Sequence, residues 1–181
     1  DITVMSREKL IEIVKYGYEH NLTSLSRDIF QKAYNDLDMR GYEVTSYAAV
    51  MDSPESYARI TAEVVGNADI RKQLFLSERP VFTKIRDDMP TLYGLDSAVK
   101  NSLIADGCVI EGTVINSVLF RGVKVGKGAV VENSIVMQDS VVMENSEVQY
   151  VTLDKKVTVE AGKTLRGTSI YPIYVRKGAK V

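Results

Sequence analysis

From Ile104 to Leu165 an aliphatic or aromatic residue returns every five or six positions: Ile104, Ile110, Ile115, Phe120, Val125, Val131, Met137, Met143, Val148, Leu153, Val159 and Leu165. A helical stripe would drift under such spacing, and a plain strand would alternate every two residues. A six-residue rung fits: hexapeptide repeats build a parallel β-helix in which short strands turn corners and three of them complete a coil. Segments such as Ile104-Ala-Asp-Gly-Cys-Val109, Val125-Gly-Lys-Gly-Ala-Val130 and Val131-Glu-Asn-Ser-Ile-Val136 have the required form. Their first and fifth residues are expected to point inward. The Asp-Gly, Lys-Gly and Asn-Ser pairs fall where a turn needs residues that tolerate positive φ. The pattern weakens toward the end, because Glu147 and Lys163 take fifth positions that should hold small side chains. No rung buries its own apolar face, so stacking supplies the core and the two ends need caps.

The 181 residues suffice for one sizeable or two modest domains. A net charge of -1 and a pI near 6.0 carry no electrostatic footprint for nucleic acid. No apolar run approaches the roughly 18 residues that span a bilayer, and no signal-peptide pattern is present. The single cysteine, Cys108, rules out an internal disulfide framework and fits a reducing, cytoplasmic setting. Its place in a rung marks it as a buried small hydrophobe. The one histidine, His20, follows a helical pattern and precedes Asn21, as a helix-ending or surface residue does.

The opening Asp1-Ile-Thr-Val-Met-Ser6 has no initiator methionine and reads as a strand entering a helix, as in a piece of a longer protein. Ser6 is a good N-cap, after which Leu10, Val14 and Tyr18, with Ile11 beside them, are expected on a buried face. A second helix is expected from Ser24 or Ser26, with Leu25, Ile29, Ala33 and Leu37 inward. Residues Tyr42 to Val50 read as a strand. Asp52-Ser53-Pro54-Glu55 is a helix start, with Tyr57, Ile60 and Val64 inward and Gly66-Asn67 closing the helix. Residues 68 to 98 lack a sustained period, and Pro80-Val-Phe-Thr-Lys-Ile-Arg86 could pair with a sheet edge. The expected partition is an α/β domain tail over 1–78, a connector over 79–98 and a β-helix over 99–181.

That order, with Pro90-Thr-Leu-Tyr93, Asn101-Ser-Leu-Ile-Ala-Asp-Gly-Cys-Val-Ile-Glu-Gly112 and Asn116-Ser-Val-Leu-Phe-Arg-Gly-Val123, resembles the glucose-1-phosphate adenylyltransferase family along essentially the whole chain. The resemblance implies the C-terminal part of a Rossmann-like nucleotidyltransferase domain followed by a left-handed β-helix. Active family members carry Tyr-Trp-Arg-Asp-Val-Gly-Thr before a helix with Ser-Tyr-Trp, and that Asp helps hold a catalytic Mg²⁺. Matching Ser56-Tyr57 to the later Ser-Tyr puts Tyr47 on the motif's Tyr, Ala48 on its Trp and Val50 on its Asp, with Asp52 and Ser53 on the Gly and Thr. Mg²⁺ needs oxygen ligands, and Val50 has none. Asp52 lies a full pleat repeat further on and serves better as a cap. The family's Gly-Ile-Tyr near the glucose moiety matches Asp1-Ile2-Thr3, which removes the Gly that lets backbone approach a ligand.

Both departures make the chain similar to the regulatory, GlgD-type subunits of the family, which act with a catalytic GlgC-type subunit in a hetero-oligomer, here joined through the β-helix. The resemblance thus implies no catalytic residue, no resident cofactor and no metal site in this chain, with Mg²⁺ serving the partner's reaction. Asp154-Lys155 resembles an Asp-Lys segment where related plant and cyanobacterial enzymes bind phosphorylated activators. Lys155, Lys156 and Arg166 are therefore candidates for an effector anion site, against the plainer reading of solvated turn residues. Two alternatives stay open: a catalytic sugar-1-phosphate nucleotidyltransferase with an atypical metal site, and, more remotely, a hexapeptide acyltransferase. The latter class uses a histidine as general base, and the repeat contains none.

Overall fold

A computed structural model describes residues 2–32, 36–83 and 85–181, which form two compact units, 1–45 and 46–181. Asp1, Ala33 and Lys84, each part of an expectation above, lie outside the described residues.

In the first unit α1 spans Arg7–Glu19, with Ser6 at the N-cap accepting from the Lys9 N–H at 3.2 Å. His20 is its C-cap, stacked on Tyr16, and Asn21 takes φ 55°. The expected inner face is wrong. Leu10, Val14 and Tyr18 are exposed, and the buried residues are Ile13 and Gly17. The reason is a close approach: a Cβ on Gly17 would meet the Ile29 side chain at 3.4 Å, so the helix packs through its glycine. The second helix is a single π-helical stretch, Leu25–Phe30, capped by Ser24, with Ile29 buried.

The second unit holds α2 (Pro54–Gly66), α3 (Ala68–Leu74) and three five-stranded parallel sheets. Ser53 caps α2 in a reciprocal capping box with Ser56, and Pro54 starts the helix. Asp52, expected above to serve as a cap rather than as a metal ligand, instead donates its N–H to the Ser56 hydroxyl. Inside α2, Ile60 and Val65 are buried. Helix α3 was not anticipated; Asn67 closes α2 and caps α3, its side chain accepting from Asp69 and Ile70 N–H groups. No strand forms among the described residues before Leu92, so the expected strand at 42–50 is absent and the described residues of 80–86 pair with no sheet. The α/β, Rossmann-like part of the expected fold is thus not seen, whereas the parallel β-helix is.

Its first face stacks Leu92–Tyr93, Val109–Ile110, Lys124–Val125, Val141–Val142 and Thr158–Val159. The second stacks Ala98–Lys100, Thr113–Ile115, Val130–Glu132, Glu147–Gln149 and Thr164–Arg166; the third stacks Leu103–Ile104, Val118–Leu119, Ile135–Val136, Val151–Leu153 and Ile173–Val175. The inward columns are Ile110, Val125, Val142 and Val159, then Val114, Val131 and Val148, then Leu119, Val136 and Leu153, each residue 1 % exposed or less. β-branched side chains fill flat columns of this kind well. Four expected anchors are off by one residue: Val114, Leu119, Val136 and Val142 are buried, in place of Ile115, Phe120, Met137 and Met143.

At Ile115 and Phe120 the slip comes from the corner at Gly112, where the inward residues Ile110 and Val114 are four apart; at Met137 and Met143 it comes from the corner between the second and third faces. Between the second and third faces the inward residues are only five apart, because the corner is made by one residue at positive φ: Asn101, Asn116, Asn133 and Tyr150, at 46 to 52°. The tight corner is held by two ladders. Asn101 donates to Asn116 and Asn116 to Asn133, at 2.9 and 3.2 Å. Beside them, the hydroxyls of Ser102, Ser117 and Ser134 accept from the backbone N–H one coil on. These side chains satisfy backbone donors that would otherwise be orphaned. The resulting frame also removes the difficulty at Glu147 and Lys163, whose side chains face outward while Ser146 and Val148 go inside.

Candidate functional site

The segment preceding α2 is where the resemblance would put the family motif. Tyr47 is tied down at both ends: its N–H donates to Gln73 at 2.7 Å and its hydroxyl to Glu63 at 2.9 Å. Desolvation, then the Glu63 hydrogen bond, holds its phenol above the ordinary tyrosine range. Glu63 also accepts from Arg59 at 2.7 Å. Three residues after Tyr47, Val50 is 74 % exposed and offers no oxygen, and the next carboxylate along the chain is Asp52. This donor set does not suit Mg²⁺, which takes several oxygens in a near-octahedral shell.

The three candidate effector residues do not form one cluster. Lys155 and Lys156 make the turn between the third and first faces, Lys156 at φ 60°. Arg166 ends a strand of the second face and is ion-paired with Glu147. The turn that stacks on Lys155 is instead the one carrying Arg176 and Lys177, through the Gly178 N–H to the Lys155 carbonyl at 3.0 Å. Sequence reasoning missed both residues. Successive coils are 17 residues apart from Val136 to Leu153 but 22 from Leu153 to Val175, so counting rungs loses them. Asp154 beside the pair has its carboxyl held below the usual range by the Lys155 N–H and then the Tyr174 hydroxyl. Cys108 is buried as expected, its thiol directed at the Phe120 carbonyl and its pKa raised by burial.

One further concavity involves α2. A groove of about 390 Å³ runs between this helix and the third face, lined by Arg59 and Glu63 on one side, Asn133, Ile135 and Tyr150 on the other, and closed by Thr168, Ser169 and Pro172. Among the described residues no helix is long and apolar enough to cross a membrane.

Comparison with known proteins bears on these features. Residues 91–167 match the family described as GlmU-like, C-terminal hexapeptide. The chain is 42% identical over 177 residues, 98% of its length, to the glycogen biosynthesis protein GlgD of Bacillus subtilis (strain 168), covering 51% of that protein. It is 54% identical over 110 residues, 61% of its length, to the GlgD protein of Geobacillus stearothermophilus, covering 32% of it. A glucose-1-phosphate adenylyltransferase of Thermosipho africanus (strain TCF52B) is 56% identical over 46 residues, 25% of this chain and 11% of that enzyme. The chain thus spans about half the length of the Bacillus subtilis relative and less of the others. With the hexapeptide region matched and the alignment to GlgD running along nearly the whole sequence, the chain belongs to the GlgD type of the glucose-1-phosphate adenylyltransferase family.

Proposed function

We propose that this chain acts in glycogen biosynthesis as part of a non-catalytic, regulatory subunit of glucose-1-phosphate adenylyltransferase, in the cytoplasm. In this reading a GlgC-type partner converts ATP and glucose 1-phosphate to ADP-glucose and pyrophosphate. Mg²⁺ and positioned cations in the partner stabilise the charge developing between phosphates. The observation that carries the reading is Val50: the position expected to supply a carboxylate to the metal bears an exposed alkyl side chain. The β-helix contributes rigidity and a surface for another subunit, since its core columns run unbroken through four coils.

The association is tested by native mass measurement of the longer protein mixed with a GlgC-type subunit. One species containing both is expected; two separate homo-oligomers, under conditions where the partner is active, would contradict it. The lysine turn carries a second expectation. Lys155→Glu should raise the half-saturating concentration of a phosphorylated activator of the mixed enzyme by about tenfold, the equivalent of one charge-assisted contact of about 1.4 kcal/mol. An unchanged activation curve would remove Lys155 from effector binding.

A further inference from the structure

The groove between α2 and the third face plays no part in the reading above, yet several departures from regularity combine to make it. The α2 residues facing it include Ala58 and Ala62, one helical turn apart, where longer side chains would close the gap. Opposite them, the coil that follows Leu153 is longer than its predecessors, and the extra residues fold back as one wall of the groove. This loop is ordered by its own bonds: Thr168 N–H donates to the Tyr171 carbonyl and Tyr171 N–H to the Thr168 hydroxyl, both at 3.1 Å. Its hinge is Gly167, where a Cβ would lie 2.5 Å from the Tyr150 carbonyl oxygen and 2.9 Å from the Ile173 nitrogen.

Tyr150 is the third departure. At the corner where Asn101, Asn116 and Asn133 stack, the fourth residue is a tyrosine at φ 52°, a conformation that bulky residues rarely adopt. Strain held at a lined concavity is the kind of feature that accompanies ligand sites. The ring gives the groove an aromatic side chain and Ile135 an apolar floor, while the Asn133 amide and the Ser169 hydroxyl bring neutral donors and acceptors. Its two charges, Arg59 and Glu63, are paired at 2.7 Å and cancel. Neither an anion nor a cation meets an unpaired charge of opposite sign there. A neutral molecule with many hydroxyls meets donors and acceptors from both, and the size lies within the roughly 300–1,000 Å³ of small-ligand pockets.

We propose that this groove is a carbohydrate-binding site, taking the neutral end of an α-glucan chain over Ile135 and Tyr150 with its hydroxyls to the Arg59–Glu63 pair, Asn133 and Ser169. The choice of an α-glucan among carbohydrates rests on the proposed role in glycogen biosynthesis; the preference for a neutral sugar rests on the lining alone. Such a site would hold the subunit near the polymer whose precursor its partner makes.

The test is a calorimetric or NMR titration of the chain with maltotriose, with cellobiose and inorganic phosphate as comparison probes. Saturable millimolar binding of maltotriose is expected, with no competition by phosphate and at least tenfold weaker binding of cellobiose. Tyr150→Asn, which suits positive φ and continues the asparagine column, should weaken binding at least tenfold while leaving the circular dichroism spectrum unchanged. Ala62→Leu, made at an exposed helix position and filling the groove, should do the same. Absence of saturable maltotriose binding, or binding that both variants retain in full, would overturn the proposal; equal binding of cellobiose would overturn the α-glucan assignment. No partner subunit and no ADP-glucose synthesis enters this titration, so its failure is separable from failure of the regulatory reading.

Discussion

Gly112→Ala is expected to lower the urea midpoint of the β-helix by roughly 1.5 M, a loss on the order of 3 kcal/mol at a typical slope of about 2 kcal/mol per molar. Gly112 sits where the inward residues Ile110 and Val114 are only four apart, so the corner is tighter than any other in the coil stack. A Cβ there would run into the Ala129 carbonyl and come within 2.7 Å of the Gly126 carbonyl oxygen. Neither oxygen can move away cheaply, since the first accepts from Thr113 at 2.8 Å and the second from Ala129 at 3.1 Å. The Gly112 carbonyl itself accepts from Ala98, so a local shift would also loosen the first coil. Gly162 is the matched control. It lies at φ 71° with nothing within 4 Å of a built Cβ, and its turn stacks on that of Asn145, at φ 54°. Gly162→Asn is therefore expected to leave the midpoint within about 0.3 M, as surface changes compatible with their backbone do. A Gly112→Ala midpoint as close to that of the parent would contradict the account of this corner.

The repeat was legible because stacking imposes the same requirement on every coil: an aliphatic residue inside, and a turn residue that accepts positive φ. Val125, Val131, Leu153 and Val159 satisfied both and were read correctly. The frame around Ile115 was lost at the Gly112 corner, where Ile110 and Val114 are four apart, and the frame around Met143 at the Asn133-Ser134 corner, where Val131 and Val136 are five apart. A six-residue count cannot see a corner whose geometry depends on hydrogen bonds between coils. The Asn-Ser pairs at 101, 116 and 133 were the available signal: their spacings of 15 and 17 give the coil length directly.

Outside the repeat, caps were read better than faces. Ser6, Ser53 and Asn67 act locally, through their own side chains and the next few N–H groups. Which side of α1 is buried depends on what lies against it, and Gly17, which decides the matter, carries no hydrophobic signal at all. Helix α3 was hidden by its length of seven residues, too short to show a period. Of the candidate site, the proposal that Val50 stands in place of a metal ligand rests on the family motif alone; to physical inspection it is an ordinary exposed valine. The groove beside α2 was invisible in sequence, because its walls come from residues 58–65, 116–152 and 168–172.

The regulatory reading makes its largest demand on catalysis. An active site lacking a carboxylate ligand loses part of the metal's stabilisation of the transferring phosphoryl group; at about 4 kcal/mol this amounts to roughly a thousandfold in rate. ADP-glucose formation from ATP and glucose 1-phosphate should therefore be measured for the longer protein alone, for a GlgC-type subunit alone and for the two together. The account predicts that the first is at least about a thousandfold slower than the second, and that the mixture differs from the GlgC-type subunit in rate or in its response to activators. Robust synthesis by the longer protein alone, or a mixture indistinguishable from the GlgC-type subunit by itself, would contradict it.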